Sequence, residues 1–106
     1  IGTYTLGGST TTTATTQVAL ATFPHATYGG GEAILMATQG THRHLTKMLI
    51  MHDGTSAYAT EFGTIYDSAE LATYDVDISG SDARILVTPG STTSTTFKAV
   101  LNLTDA

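Results

Sequence analysis

Residues Leu45 to Tyr66 read LTKMLIMHDGTSAYATEFGTIY, two apolar, β-prone runs on either side of Asp53-Gly54. An Asp-Gly between such runs is a strong hairpin signal, because a type I′ turn needs positive φ at both central residues. A two-residue loop then sets the register. His52 falls opposite Thr55, Ile50 opposite Ala57 and Met48 opposite Ala59; on the other face Met51 meets Ser56, Leu49 meets Tyr58 and Leu45 meets Phe62. Lys47 faces Thr60, with its stem laid on Tyr58 and Phe62. Both faces come out apolar, whereas a half-exposed antiparallel hairpin has one wet face. A second sheet of the same chain can cover one side. The other calls for a neighbouring subunit, against the competing reading of a monomer wrapped by its own N-terminal tract. Met48, Leu49, Ile50, Tyr58 and Phe62 are accordingly the predicted core or interface residues, with Asp53 and Gly54 as the turn.

Outward from the hairpin the same alternation recurs. Leu71 to Ile78 puts Tyr74, Val76 and Ile78 on one side and Asp75 and Asp77 on the other. Ser79-Gly80-Ser81-Asp82 is a turn, after which Ala83 to Thr88 sets Ile85 and Val87 against Arg84 and Leu86. Thr95 to Leu103 directs Phe97, Ala99, Leu101 and Leu103 inward. Toward the N-terminus, Gln17 to Phe23 reads as a strand ended by Pro24, and Gly29-Gly30-Gly31 as a flexible joint. Glu32 to Gln39 is a strand by length and flanking Gly, with a short helix as the alternative. Ile1 to Thr16 is a Thr- and Gly-rich tract: an arm reaching a neighbouring subunit, a linker or a loose first strand. About seven or eight short strands with turn signals every ~8–12 residues predict an all-β, antiparallel sandwich, jelly-roll or immunoglobulin-like, over residues 17–106 behind an arm or linker at 1–16.

Composition narrows the function. The 106 residues suffice for one domain. Only 12% of them are charged, about half the usual share for a globular domain, and 23 threonines take over the wetting of the surface. The net charge is −5 with only Arg43, Lys47, Arg84 and Lys98 basic, so no basic stripe exists for nucleic acid or an anionic membrane. There is no cysteine, which removes disulfides and thiolate chemistry. No apolar run reaches the ~18 residues of a membrane-spanning helix. The sequence opens at Ile1 without Met and without a visible signal peptide, as a processed chain or a piece of a longer one does.

Four pieces carry a family likeness: the strand ending His52-Asp53-Gly54-Thr55, then Glu61-Phe62-Gly63-Thr64-Ile65, then Tyr74-Asp75-Val76-Asp77-Ile78-Ser79-Gly80, then Arg84-Ile85-Leu86-Val87-Thr88-Pro89. In order and spacing they resemble the carboxy-terminal β-domains of tailed-phage virion proteins, marine and cyanobacterial phages especially. The resemblance runs from Thr46 onward. It implies a fibre-like or capsid-decoration-like structural protein of the virion, an extracellular particle. It further implies a homotrimer in contact with other virion proteins, and no enzymatic activity. The alternative function is a receptor- or carbohydrate-binding tip or adhesin module, with Tyr4, Tyr28 and Tyr66 as the aromatics outside the inferred core and a host glycan as partner.

Three local patterns are candidate sites. His42 and His44 share a strand face, and around a threefold axis three such pairs would supply six imidazoles to a transition metal; the plain alternative is two histidines beside a turn. Asp75 and Asp77 lie ~7 Å apart along a strand, a glycosidase-like separation without a sugar platform, and with Asp82 they offer oxygens to calcium. An alternating acidic strand face in water is the ordinary reading of that spacing. No nucleophile elbow or phosphate loop occurs, and no cofactor is expected.

Overall fold

Alternating apolar and β-branched residues make strands along nearly the whole chain. The computed structural model describes residues 3–106, with side chains from Gly7 onward. Eight strands follow in order: β1 (Thr3–Thr12), β2 (Val18–Pro24), β3 (Tyr28–Gln39), β4 (His42–His52), β5 (Ala57–Tyr66), β6 (Ala72–Ser79), β7 (Asp82–Pro89) and β8 (Thr95–Asp105). They form two antiparallel sheets packed as a sandwich. The large sheet has the order β1-β8-β3-β4-β5 and the small one β2-β7-β6. No described residue is helical, so the helical alternative for Glu32–Gln39 falls.

The expected all-β sandwich is therefore what the chain builds, but two segments that look loose in sequence are strands. The Thr- and Gly-rich tract pairs along β8 from Thr3↔Thr104 to Thr12↔Thr95, with Thr11 and Thr96 hydroxyls 2.9 Å apart. Over Thr3–Thr12 it is an edge strand of the sandwich. The Gly29-Gly30-Gly31 joint is the start of β3, flanked by β4 and β8. A Cβ on Gly31 would collide with the Asn102 carbonyl, and one on Gly30 with the Ile50 carbonyl. Glycine is there for close backbone approach, not for flexibility.

The Asp53-Gly54 hairpin also differs in detail. Pairing of β4 with β5 begins at His52↔Ala57, so the loop is four residues, 53–56, not two. From His52 to Lys47 each pair is offset by two from the expected register, as in Met51↔Tyr58, Leu49↔Thr60 and Lys47↔Phe62; past a bulge between Leu45 and Lys47 the offset is three, and Leu45 meets Ile65 instead of Phe62. A shift of two preserves the face of each side chain, whereas a shift of one would have inverted them all. The turn is not type I′. Within it only Gly54 has positive φ, at 89°. Asp53 Oδ1 instead accepts the N–H groups of Thr55 at 2.9 Å and Ser56 at 2.8 Å, an Asx-type closure. Those donors hold the Asp53 carboxyl below the usual carboxylate range. His52 Nδ1 accepts the Gly54 N–H at 3.0 Å.

The core lies between the sheets. From the large sheet come Ala33, Leu35, Ala37, Met48, Ile50, Phe97, Leu101 and Leu103; from the small sheet come Phe23, Ala83, Ile85 and Val87. A bulge between Ala19 and Ala21 lets both Leu20 and Ala21 face inward on β2. Three strands cannot cover five. β5, at the edge, keeps eight of its ten residues exposed, and this overhang positions both surfaces described next.

Candidate functional site: an exposed apolar sheet face

β4 alternates cleanly. His44, Thr46, Met48 and Ile50 point into the sandwich and are buried, while Leu45, Lys47, Leu49 and Met51 point out. The outward row is met on β5 by Tyr58, Phe62 and, past a bulge at Leu45/Lys47, Ile65. Ile34 on β3 and Val100 on β8 extend it. Leu49 is 48% exposed, Met51 53%, Tyr58 53%, Phe62 42% and Ile65 63%. Lys47 sits in the middle, its Nζ 3.3 Å from Glu32 Oε2 and 5.8 Å from the Phe62 ring centroid. Its partner is in the same chain, and Phe62 takes the place expected for Thr60. Shallow depressions flank this pair: one of about 410 Å³ by Leu49, Met51 and Tyr58, and one of about 330 Å³ by Met36, Leu45 and Ile65.

The residues proposed as core or interface thus divide by parity. Met48 and Ile50 are core, at 1% and 3% exposure, and Leu49, Tyr58 and Phe62 are on the open face. Completing the burial of a half-covered Leu, Met or Phe side chain is worth about 1 kcal/mol each, so water is a poor final solvent for this surface.

A second feature lies on the other side of β5. Its inward face meets β6 across a groove of about 430 Å³ lined by Met48, Ala59, Glu61, Tyr74 and Asp75 among others. Glu61 projects inward opposite Met48. Desolvation, then the charge of Glu70, holds its carboxyl above the usual range. Burial, with Glu61 adding, pushes the Tyr74 phenol up. The Tyr74 hydroxyl and His44 Nε2 are buried without a hydrogen-bond partner. Their rings are 6.2 Å apart. His44 Nδ1 accepts the Leu71 N–H at 3.1 Å, which leaves the proton of the neutral ring on Nε2. Burial lowers the His44 pKa, against an opposing pull from Glu70.

The structure separates the proposed metal pair. His42 and His44 do share a face, but His44 is enclosed in the protomer's own interior with Nδ1 engaged. His42 is exposed, 3.6 Å from Asp67. A ring buried there cannot reach an axis between subunits. Among the described residues no three His, Asp or Glu side chains gather as metal ligands. Asp77 is taken by Arg84 in a bidentate pair at 2.8 and 2.6 Å, and Asp75 Oδ1 accepts the Val76 N–H, so Asp75, Asp77 and Asp82 are not assembled toward one cation. Tyr28 packs edge-on against Phe23, and Tyr66 against His44. The Tyr4 side chain lies outside the described residues. Sequence reading missed Glu61 and Tyr74. The available signal was a carboxylate with inward parity on the hairpin's second strand.

No protein-family model matches the sequence, and no curated protein matches it significantly. Among solved structures the chain is similar to the tailspike protein of Acinetobacter phage vB_ApiP_P1, with a TM-score of 0.65 and 19% identity over 94% of this chain. The match covers 22% of the tailspike chain, so this sandwich corresponds to about a fifth of that protein, and the likeness is one of fold.

Proposed function

We propose that this chain is a non-enzymatic structural domain of a bacteriophage virion, of the tailspike or fibre kind, which assembles with copies of itself through the outer face of its large sheet. The observation that carries the reading is that face: five large apolar side chains on β4 and β5 between 42% and 63% exposed, with one internally neutralised charge pair among them. The fold likeness to a phage tailspike supports the setting, and favours a tail structure over a head decoration. Projected on the sheet, the apolar part of three strands covers roughly 300 Å². A patch of that size is at the low end of the largest one a typical monomer shows, and such patches are often functional. A lasting interface needs about 800 Å² per partner, so one patch on one partner falls short. Further surface must therefore join the patch in a lasting assembly, and the homotrimer is the state the sequence resemblance implies.

Light scattering on the purified chain tests this. A mass of three chains at micromolar concentration is the expected result, and a monomer there removes the reading. A second reading, a recognition tip for a host glycan, draws on Tyr58 and Tyr66, both about half exposed. Reproducible binding on a glycan array by a monomeric chain would favour it.

A further inference from the structure

Three connections meet at one end of the sandwich: residues 25–27 between β2 and β3, the 53–56 loop between β4 and β5, and Gly80-Ser81 between β6 and β7. Two imidazoles tie them together. His25 donates its backbone N–H to the Ser81 carbonyl at 3.1 Å, and its ring Nε2 lies 3.1 Å from the Gly80 carbonyl. The His52 ring stands edge-on to the His25 ring, their centroids 5.6 Å apart, and it also packs against Phe23 at 6.3 Å.

Both nitrogens of His52 are engaged, in opposite senses. Nε2 is 2.6 Å from the Tyr28 carbonyl, which can only accept, so this nitrogen carries the proton. Nδ1 accepts the Gly54 N–H at 3.0 Å. Only the neutral ring with its proton on Nε2 satisfies both partners. A second proton goes to Nδ1 and turns its lone pair into an N–H aimed at another N–H. Turning the ring over about its Cβ–Cγ bond puts carbon where each nitrogen was, and so gives up the Tyr28 bond as well. The charged ring therefore keeps Tyr28 and lets Gly54 go.

The rest of the loop does not share this dependence. Thr55 and Ser56 donate to the Asp53 carboxylate, which those bonds hold below the usual carboxylate range. The charged and titratable groups on the elements around His52 are Asp53 in its own loop, His25 and Tyr28 flanking the β2–β3 turn, Tyr58 on β5, Asp82 at the head of β7, and Asp105 opposite Tyr28 on β8. Of these only His25 is of the residue type that changes charge between about pH 5 and 8.

We propose that His52 is a proton-operated latch on the β4–β5 loop: the neutral ring bridges Gly54 to Tyr28, and protonation at Nδ1 frees Gly54 while Asp53 keeps hold of Thr55 and Ser56. The freed peptide lies between Met51 and Tyr58, so acid loosens the end of the outer face that these two residues form. The latch stands whether or not that face is an interface, because its readout is confined to the loop.

The test is nitrogen-15 NMR of the full chain between about pH 8 and 5, the range of imidazole titration. At the upper end the His52 ring should show the Nε2–H tautomer, with the Gly54 amide protected from exchange. As the ring titrates, Gly54 protection should fall about ten-fold, the worth of one hydrogen bond, at the ring's own midpoint, while Thr55 and Ser56 stay protected. His52→Asn, whose Oδ1 stands in for Nδ1 but takes no proton, should keep Gly54 protected over the whole range. His44→Gln, which removes the other acid-sensitive ring, should leave the Gly54 transition in place. The tautomer and the midpoint are read on the parent chain, so they decide the matter even if His52→Asn does not fold. The proposal is overturned by the Nδ1–H tautomer, by a Gly54 amide indifferent to the ring's titration, or by loss of Gly54, Thr55 and Ser56 together at one midpoint. It is overturned equally by a transition that persists in His52→Asn or vanishes in His44→Gln.

Discussion

The two sheets turn very different outer faces to the surroundings. On the small sheet, β6 presents Asp75 and Asp77 and β7 presents Arg84 and Thr88, with Arg84 and Asp77 joined by two hydrogen bonds. On the large sheet, β4 and β5 present Leu49, Met51, Tyr58, Phe62 and Ile65. Both faces obey the same period-two alternation, so backbone pattern does not distinguish them. The difference is only in which residues fill the outward positions. One chain thus carries a polar outer face and an apolar one.

The sharpest way to break the contrast is within β4, where adjacent residues have opposite fates. Met48→Ala should cost about 2–5 kcal/mol in denaturant melts whatever the oligomeric state. Leu49→Ala should change stability of the isolated protomer by less than about 0.5 kcal/mol. Leu49→Glu should leave the circular dichroism spectrum intact while reducing the mass in light scattering to that of one chain. If Leu49→Glu assembles as the parent does, the outer face is not the interface.

Next in size is the turn that holds the two outward rows in register. Gly54→Val should cost about 1–2 kcal/mol, the strain of a left-handed φ on a branched residue. No atom crowds the position, so the loss would be conformational alone. Unchanged thermal unfolding would show that the loop adopts another conformation without penalty.

Acid separates the sheets more finely. His44, inside the large sheet, has its pKa lowered by burial. The stability that depends on its neutrality is complete above the ordinary imidazole value of 6.5 and is lost as pH falls below it toward the depressed folded value. Asp77, on the small sheet, has its pKa lowered by hydrogen bonding to Arg84. Its contribution is complete above the ordinary 3.8 and fades only below that. Chemical denaturation between pH 7 and 3 should therefore show a first loss with His44→Gln removing it, and a later one tied to Asp77. The smallest effect is expected for Arg84→Ala: a slight, salt-sensitive loss of stability with no change in assembled mass. A change of mass in that variant would mean the small sheet is an interface too.

The strands were legible because side chains alternate over runs as long as Phe97 to Leu103, and parity alone sorted Met48 from Leu49. Misreadings, and the alternatives left open for the threonine tract, came where pairing is not a matter of local pattern. Asp53-Gly54 looks the same in a two-residue and a four-residue loop, and only the Asp53 carboxylate's own hydrogen bonds tell them apart. Gly29 to Gly31 resembles a joint because the carbonyls that crowd it belong to residues 50 and 102. The threonine tract has no apolar alternation of its own and becomes a strand by lying on β8. The apolar face could be read from one hairpin. The groove could not, since it needs β5 and β6 from different sheets to come together.

The pairing of β1 with β8 has a kinetic consequence. Thr3 and Thr104 are neighbours across the ladder although about a hundred residues separate them along the chain. That contact closes the longest loop in the fold, and loop closure grows costlier with length. Domains dominated by such pairings fold in milliseconds to seconds. The β3–β4 and β6–β7 hairpins should form early and β1 should zip on last, so the final folding step of this sandwich is the addition of its threonine strand.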